Sequence, residues 1–164
     1  MQTTYMTALA ALRIVAVVGA AALTSCQSDP YFGDYTRTKP AEGDLVGAWT
    51  PNQDAVARMR DKGGYDTSRS ATRFEFKADG TFSMVDMPDW WLDGLGRSHR
   101  TFRSDSGRWK INQDSDSNTW GIDLVFGTLG TYVALRRQKP PYLIHVVIGD
   151  PDLGDAMVFT KSSQ

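Results

Sequence analysis

The sequence predicts an all-β fold, an eight-stranded antiparallel up-and-down barrel with one short helix after the first strand. Three observations predict it. Beyond residue 70, apolar residues recur at every second position, the period of a strand with one buried face. Short segments rich in Gly, Asp, Asn and Pro separate these runs, as hairpin turns do. Helical spacing is confined to one stretch around residue 55 of the folded part. Strands in meander order close most simply into a barrel, which removes exposed edges. A two-sheet sandwich is the alternative.

The elements follow in order. Leu45–Trp49 is the first predicted strand. Thr50 then acts as a helix cap, Pro51 suits the first helical position and Gln53 completes a capping box. With Ala55, Val56 and Met59 at helical spacing and Gly63-Gly64 as the stop, a helix over Pro51–Lys62 is expected. Arg73–Lys77 alternates with Phe74 and Phe76 on one face, Ala78-Asp79-Gly80 turns the chain, and Thr81–Val85 returns with Phe82 and Met84 in phase. Ser106–Ile111, Trp120–Phe126, Tyr132–Arg137, Tyr142–Ile148 and Ala156–Thr160 complete the eight. Phe74, Phe76, Phe82, Met84, Trp109, Leu124 and Phe159 are expected to line the interior. An eight-stranded barrel is just wide enough for side chains or one small ligand.

The N-terminus has the layout of an export signal. Arg13 supplies the positive charge, Ile14–Leu23 the apolar core and Thr24-Ser25 the small residues before a cleavage site. The apolar core is too short for a membrane-spanning helix, which needs about 20 residues. Met6 is a second possible start. Leu23-Thr24-Ser25-Cys26 resembles the lipobox of bacterial lipoproteins, in which the Cys is lipidated. The resemblance implies a lipoprotein signal peptide over 1–25; the polar stretch with Pro30, Gly33, Pro40 and Gly43 reads as a linker over 26–43, followed by a barrel domain over 44–164. It implies a membrane anchor through lipid on Cys26. Gln27, where inner-membrane lipoproteins usually carry Asp, points to the periplasmic face of the outer membrane. The outer leaflet of the cytoplasmic membrane is the alternative. The linker contains Tyr31, Phe32 and Tyr35, which either lie on headgroups or pack on the domain. Cys26 is the only cysteine, so no disulfide is expected despite the oxidising compartment.

A second resemblance concerns the domain. Gly47-Ala48-Trp49 resembles the Gly-x-Trp of the lipocalin and fatty-acid-binding superfamily. Phe76-Lys77-Ala78-Asp79-Gly80-Thr81-Phe82 and Ser106-Gly107-Arg108-Trp109-Lys110-Ile111 are similar to segments of bacterial lipocalin-like lipoproteins. The resemblance implies a lipocalin-like barrel over Leu45–Lys161, with Trp49 closing one end.

Candidate chemistry is sparse. The net charge of −1 becomes −2 when Arg13 is removed with the signal, which gives no reason to expect nucleic acid as a partner. His99 lies in a Gly/Ser/Arg loop and His145 in an apolar strand. With two histidines and one cysteine, a zinc site would need carboxylates placed by the fold. Asp114, Asp116 and Asn118 have the first spacings of a calcium loop, but Thr119 and Val125 stand where it needs Gly and Glu, so a solvated hairpin loop is expected. Asp150, Asp152 and Asp155 flank a Gly-Asp-Pro-Asp turn. No Gly-x-Ser-x-Gly elbow and no phosphate loop is present. No catalytic residue, metal or cofactor is expected, and the chain is not expected to be an enzyme. Trp90 and Trp91 cannot both face one side of a strand and suggest a lid or a docking patch. Two functions are therefore expected in order. The first is binding of an apolar small molecule or lipid among Phe74, Phe76, Phe82, Met84, Trp90, Trp91, Trp109 and Leu124. The second is a non-enzymatic envelope interaction or structural role, as an inhibitor or assembly factor, with a filled barrel.

Overall fold

A computed structural model describes residues 29–61, 64–69, 71–89, 101–147 and 156–162. Cys26, Trp90, Trp91, His99, Asp150, Asp152 and Asp155 lie outside the described residues. The chain forms one closed antiparallel barrel of eight strands in sequence order: β1 Gly47–Pro51, β2 Arg73–Phe76, β3 Thr81–Pro88, β4 Phe102–Asp114, β5 Thr119–Phe126, β6 Leu129–Arg136, β7 Leu143–Val147 and β8 Ala156–Lys161. Each strand pairs with the next, and β8 closes onto β1 through Trp49↔Lys161, Thr50↔Thr160 and Pro51↔Phe159. The barrel is compatible with a lipocalin-like fold.

The alternation read from the sequence is the alternation of the wall. In β2 the exposed Arg73 and Glu75 alternate with buried Phe74 and Phe76. In β5 Ile122, Leu124 and Phe126 are buried while Val125 is 50 % exposed. Asp86, at positive φ, coincides with a register shift in the β3–β4 ladder between Met84 and Met87. A bulge of this kind inserts an unpaired residue and re-aims the strand. It lets β3 continue inward with Met87 and Pro88.

Two elements differ from expectation at the barrel's entrance. Leu45 is not in β1; it ends a single helical turn, α1 Glu42–Leu45. The next helix, α2, spans Gln53–Asp61, so it starts later than Pro51. Pro51 is spent on pairing with Phe159, where β1 needs no amide hydrogen to close the barrel. The cap is Asn52, whose Oδ1 accepts the Ala55 N–H at 2.7 Å. Thr50 faces Ser162 instead, 3.3 Å between hydroxyls. α2 buries Ala55 and Met59 and packs mainly on β8, closing one end of the barrel.

The other end is closed by α1. The Trp49 indole N–H donates to the Leu45 carbonyl at 2.8 Å, which holds α1 against the buried tryptophan. Lys161 reaches across Gly47 and its Nζ donates to the carbonyls of Gly43 (3.3 Å) and Asp44 (3.0 Å). This explains the glycine of Gly47-Ala48-Trp49. Gly47 has φ +128°, which L-residues avoid, and a Cβ there would lie 3.1 Å from the Lys161 Cε. Gly47→Ala is expected to destabilise the chain by about 1–2 kcal/mol, read from the urea midpoint at unchanged slope.

Candidate functional site

The residues expected to bind a ligand lie on four neighbouring strands, β2 to β5, and the fold brings the described ones together. Phe74 stacks on Phe76 with centroids 5.7 Å apart and meets Phe159 at 5.1 Å. Phe76 continues to Trp109 at 5.3 Å and to Phe82 at 6.2 Å. Phe82 then meets Phe126 edge-on at 6.2 Å. Met84 and Leu124 belong to the same contiguous cluster. These separations are those of packed aromatic pairs. Trp109 sits at the rim, 8 % exposed, with its indole N–H donated to the Lys77 carbonyl at 2.9 Å.

Exposure decides whether these side chains surround a space. An empty cavity leaves its walls accessible to a water-sized body even when it is sealed from bulk solvent. Phe74, Leu124 and Phe159 are 0 % exposed, Phe76 and Met84 1 %, and Phe82 2 %. The wall residues therefore touch one another and not a void, at the close packing usual for protein interiors. A depression of about 330 Å³ does exist on the outer wall, but it is open and lined by Lys110, Asp123 and Tyr132.

Sequence reading missed Asp89. It is fully buried immediately after β3. Its carboxylate accepts the Tyr65 hydroxyl at 2.9 Å, the Thr101 hydroxyl at 3.0 Å and the Thr101 N–H at 3.3 Å. The Asp89 N–H returns a bond to the Thr101 carbonyl at 3.1 Å. Both ends of the 90–100 connection are thus fixed to each other, and Tyr65 ties them to the chain that follows α2. Asp89→Ala is expected to cost about 2 kcal/mol, because it removes the charged acceptor of the buried Tyr65 hydroxyl. Hydrogen exchange should show faster exchange at Thr101 while the amides of β5 keep their protection.

A second missed feature is the segment 29–37, part of the expected linker. Its backbone pairs with the end of β6 and the start of β5, Trp120 donating to the Thr36 carbonyl at 2.7 Å, and its tyrosine rings lie on His145 of β7. Thr36 donates to the Leu135 carbonyl at 2.9 Å and through Oγ1 to the Arg137 carbonyl at 2.7 Å, and Tyr35 forms a bridge with Arg136. Arg136 donates from Nε and Nη2 to Asp34, each at 2.8 Å, and its guanidinium lies 4.2 Å over the Tyr31 ring. Tyr35 donates to Asp29 at 2.7 Å; burial and that bond push its phenol pKa well above the usual range. Tyr31 and Tyr35 therefore pack on the domain, which decides between the two alternatives left by the sequence.

Beneath them lies His145. It is 3 % exposed, with the Tyr31 ring at 4.9 Å and the Tyr35 ring at 5.5 Å, both edge-on. Its Nδ1 is buried and has no hydrogen-bond partner among the described residues. Burial, then the charge of Arg136, push its pKa down to about 4 against the opposing pull of Asp29 and Asp34. Among the described residues no group of three or more His, Cys, Asp or Glu side chains is arranged to hold a metal. The Asp114 carboxylate is spent on its own hairpin, accepting the Asp116 N–H at 3.1 Å and the Ser117 hydroxyl at 2.6 Å. The Ser117 bond holds its carboxyl below the usual range. Among the described residues no helix is long and apolar enough to cross a membrane.

Comparison with protein-family models, with curated proteins and with solved structures finds no match for the chain.

Proposed function

We propose that this chain is a lipid-anchored envelope protein that acts without catalysis, through its outer surface, on another envelope component. The observation that carries the reading is the filled barrel: the interior side chains Phe74, Phe76, Phe82, Met84 and Leu124 are 0–2 % exposed and leave no room for a guest, with Trp109 at the rim. An architecture that can hold one small molecule is here used as a rigid support. Export and attachment follow from the resemblance of Leu23-Thr24-Ser25-Cys26 to a lipobox, with the outer membrane's periplasmic face as the site. Trp90 and Trp91 are the residues put forward for contact, since aromatic side chains dominate the energetics of docking surfaces. The connection that carries them starts from the rigid Asp89 clamp.

The test combines two measurements on protein extracted from its native membrane. Intact mass should show a chain beginning at Cys26 with acyl groups attached, and native mass spectrometry should show no copurified lipid or apolar metabolite. A photo-crosslinker at position 90 or 91 should give one discrete protein adduct in cells. The Trp90→Ala, Trp91→Ala pair should lose function without losing stability. A stoichiometric apolar ligand that survives extraction would overturn this reading in favour of cavity binding, with Phe74, Phe76, Phe82, Met84, Trp109 and Leu124 moving aside to admit it.

A further inference from the structure

We infer that the barrel rests on the membrane in one orientation, with an anionic phospholipid surface held against the face formed by Phe32, Arg37, Lys39, Arg137 and Lys139. The inference rests on the anchor reading of Cys26. A lipid on a long free tether would leave the domain untethered in orientation. Here the chain is already fixed to the barrel at Asp29, whose carboxylate holds the Tyr31 N–H at 2.8 Å and the Tyr35 hydroxyl at 2.7 Å. Two residues, Gln27 and Ser28, separate Cys26 from Asp29, and three steps of an extended chain at about 3.3–3.6 Å per residue span at most roughly 11 Å. Asp29 therefore stays within about one Debye length of the anchored Cys26, which keeps the segment that starts there near enough to the bilayer surface for charges to be felt.

The composition of that face suits a bilayer surface. Phe32 is 51 % exposed, with the Arg37 guanidinium 5.2 Å over its ring. Lys39 lies 5.7 Å over the Trp120 ring. Arg137 and Lys139 are exposed in the β6–β7 turn, and the Gln138 side chain between them binds the Arg37 N–H at 3.0 Å and the Tyr35 carbonyl at 2.6 Å. That bond brings the four cations to one end of the 29–39 segment. Of the acidic groups nearby, Asp34 is paired with Arg136, Asp29 is taken up by Tyr31 and Tyr35, and Asp114, in the hairpin before Trp120, accepts from Ser117 and Asp116, leaving Asp116 as the exposed carboxylate of that hairpin. Glu42 and Asp44 lie farther along, on α1 beside Lys161. Exposed aromatic rings with cations above them sit well at headgroup depth, and clustered Lys and Arg are attracted to anionic lipid.

The test is lysine acetylation of the acylated protein reconstituted into vesicles rich in phosphatidylglycerol, against the same protein in neutral detergent. Lys39 and Lys139 should be modified about fivefold more slowly in the vesicles, the size of effect a few clustered cations produce. Lys77 is the internal control: it is exposed at the end of β2, on the side of the ring opposite β6 and β7, and its rate should not change. The Arg37→Glu, Arg137→Glu variant should lose the protection of both lysines while still sedimenting with the vesicles. Equal rates at Lys39, Lys139 and Lys77 on a chain whose mass shows acyl groups would overturn the orientation and leave the anchor standing. A mass without acyl groups, with the chain left in the supernatant, would overturn both.

Discussion

Phe74→Ala is expected to lower the unfolding free energy by about 3–5 kcal/mol, the range for truncating an aromatic side chain in a closed core. The size of the loss separates a filled barrel from a hollow one. Phe74 is fully buried and meets Phe76 and Phe159 at stacking distance, on a strand whose cross-strand partners are Trp49 and Met84. Removing its ring takes away both its own transfer free energy and the contacts of every neighbour left facing the gap. In a ligand chamber the ring would already border empty or solvated space, and truncation would remove only part of a contact surface. Its cost would then fall to about 1 kcal/mol, the central value for ordinary substitutions. Val125→Ala is the companion measurement. Val125 points outward from β5 and is half exposed, so its truncation should change stability by less than about 0.5 kcal/mol. Urea titrations followed by far-ultraviolet circular dichroism measure both. A Phe74→Ala loss near that of Val125→Ala would refute the filled core and the function proposed from it.

The barrel was legible because its physical demand is local. A wall with an apolar inside and a polar outside forces alternation along each strand, and Phe74-Glu75-Phe76 or Ile122-Asp123-Leu124 shows it directly. What escaped the sequence depends on partners far along the chain. Thr50-Pro51 has the chemistry of a helix start, but closing the ring onto β8 needs those two residues in β1, so Asn52 takes the cap. Nothing in Met87-Pro88-Asp89 says that the carboxylate is buried; its acceptor role is set by Tyr65, 24 residues earlier, and Thr101, 12 residues later. The segment 29–37 has a linker's composition. Its order comes from bonds to Arg137 and Gln138 more than 100 residues away, as in the Thr36–Arg137 pair separated by 101. Strand phase alone marks the described interior residues. Whether they enclose space or fill it depends on volumes summed over all strands, which alternation does not contain.

Acid is expected to loosen the chain in a window set by His145. Its folded pKa is about 4 against an ordinary 6.5, because burial and the neighbouring Arg136 disfavour the imidazolium. Between these values the unfolded chain binds more protons than the folded one, so stability rises with pH across the window and is complete above about pH 6.5. Moving down from pH 7 to 4 should cost about 3 kcal/mol, the equivalent of the two-and-a-half-unit difference. Asp61, Asp66, Asp79 and Asp114 are all held below the usual carboxylate value by hydrogen bonds within their own turns or pairs, so they protonate at lower pH. His145→Phe keeps a ring between Tyr31 and Tyr35 and removes the titrating group. It also removes the buried Nδ1 that lacks a partner. The variant should be at least as stable as the parent at pH 7 and nearly independent of pH from 7 down to 4.5. Because His145 supports the rings that fasten segment 29–37, the parent should also lose protection against hydrogen exchange at Thr36 before β5 does as the pH falls. A parent curve that is flat between pH 6.5 and 4.5, or a variant curve that falls with it, would remove His145 from the account and place the acid sensitivity in the carboxylates.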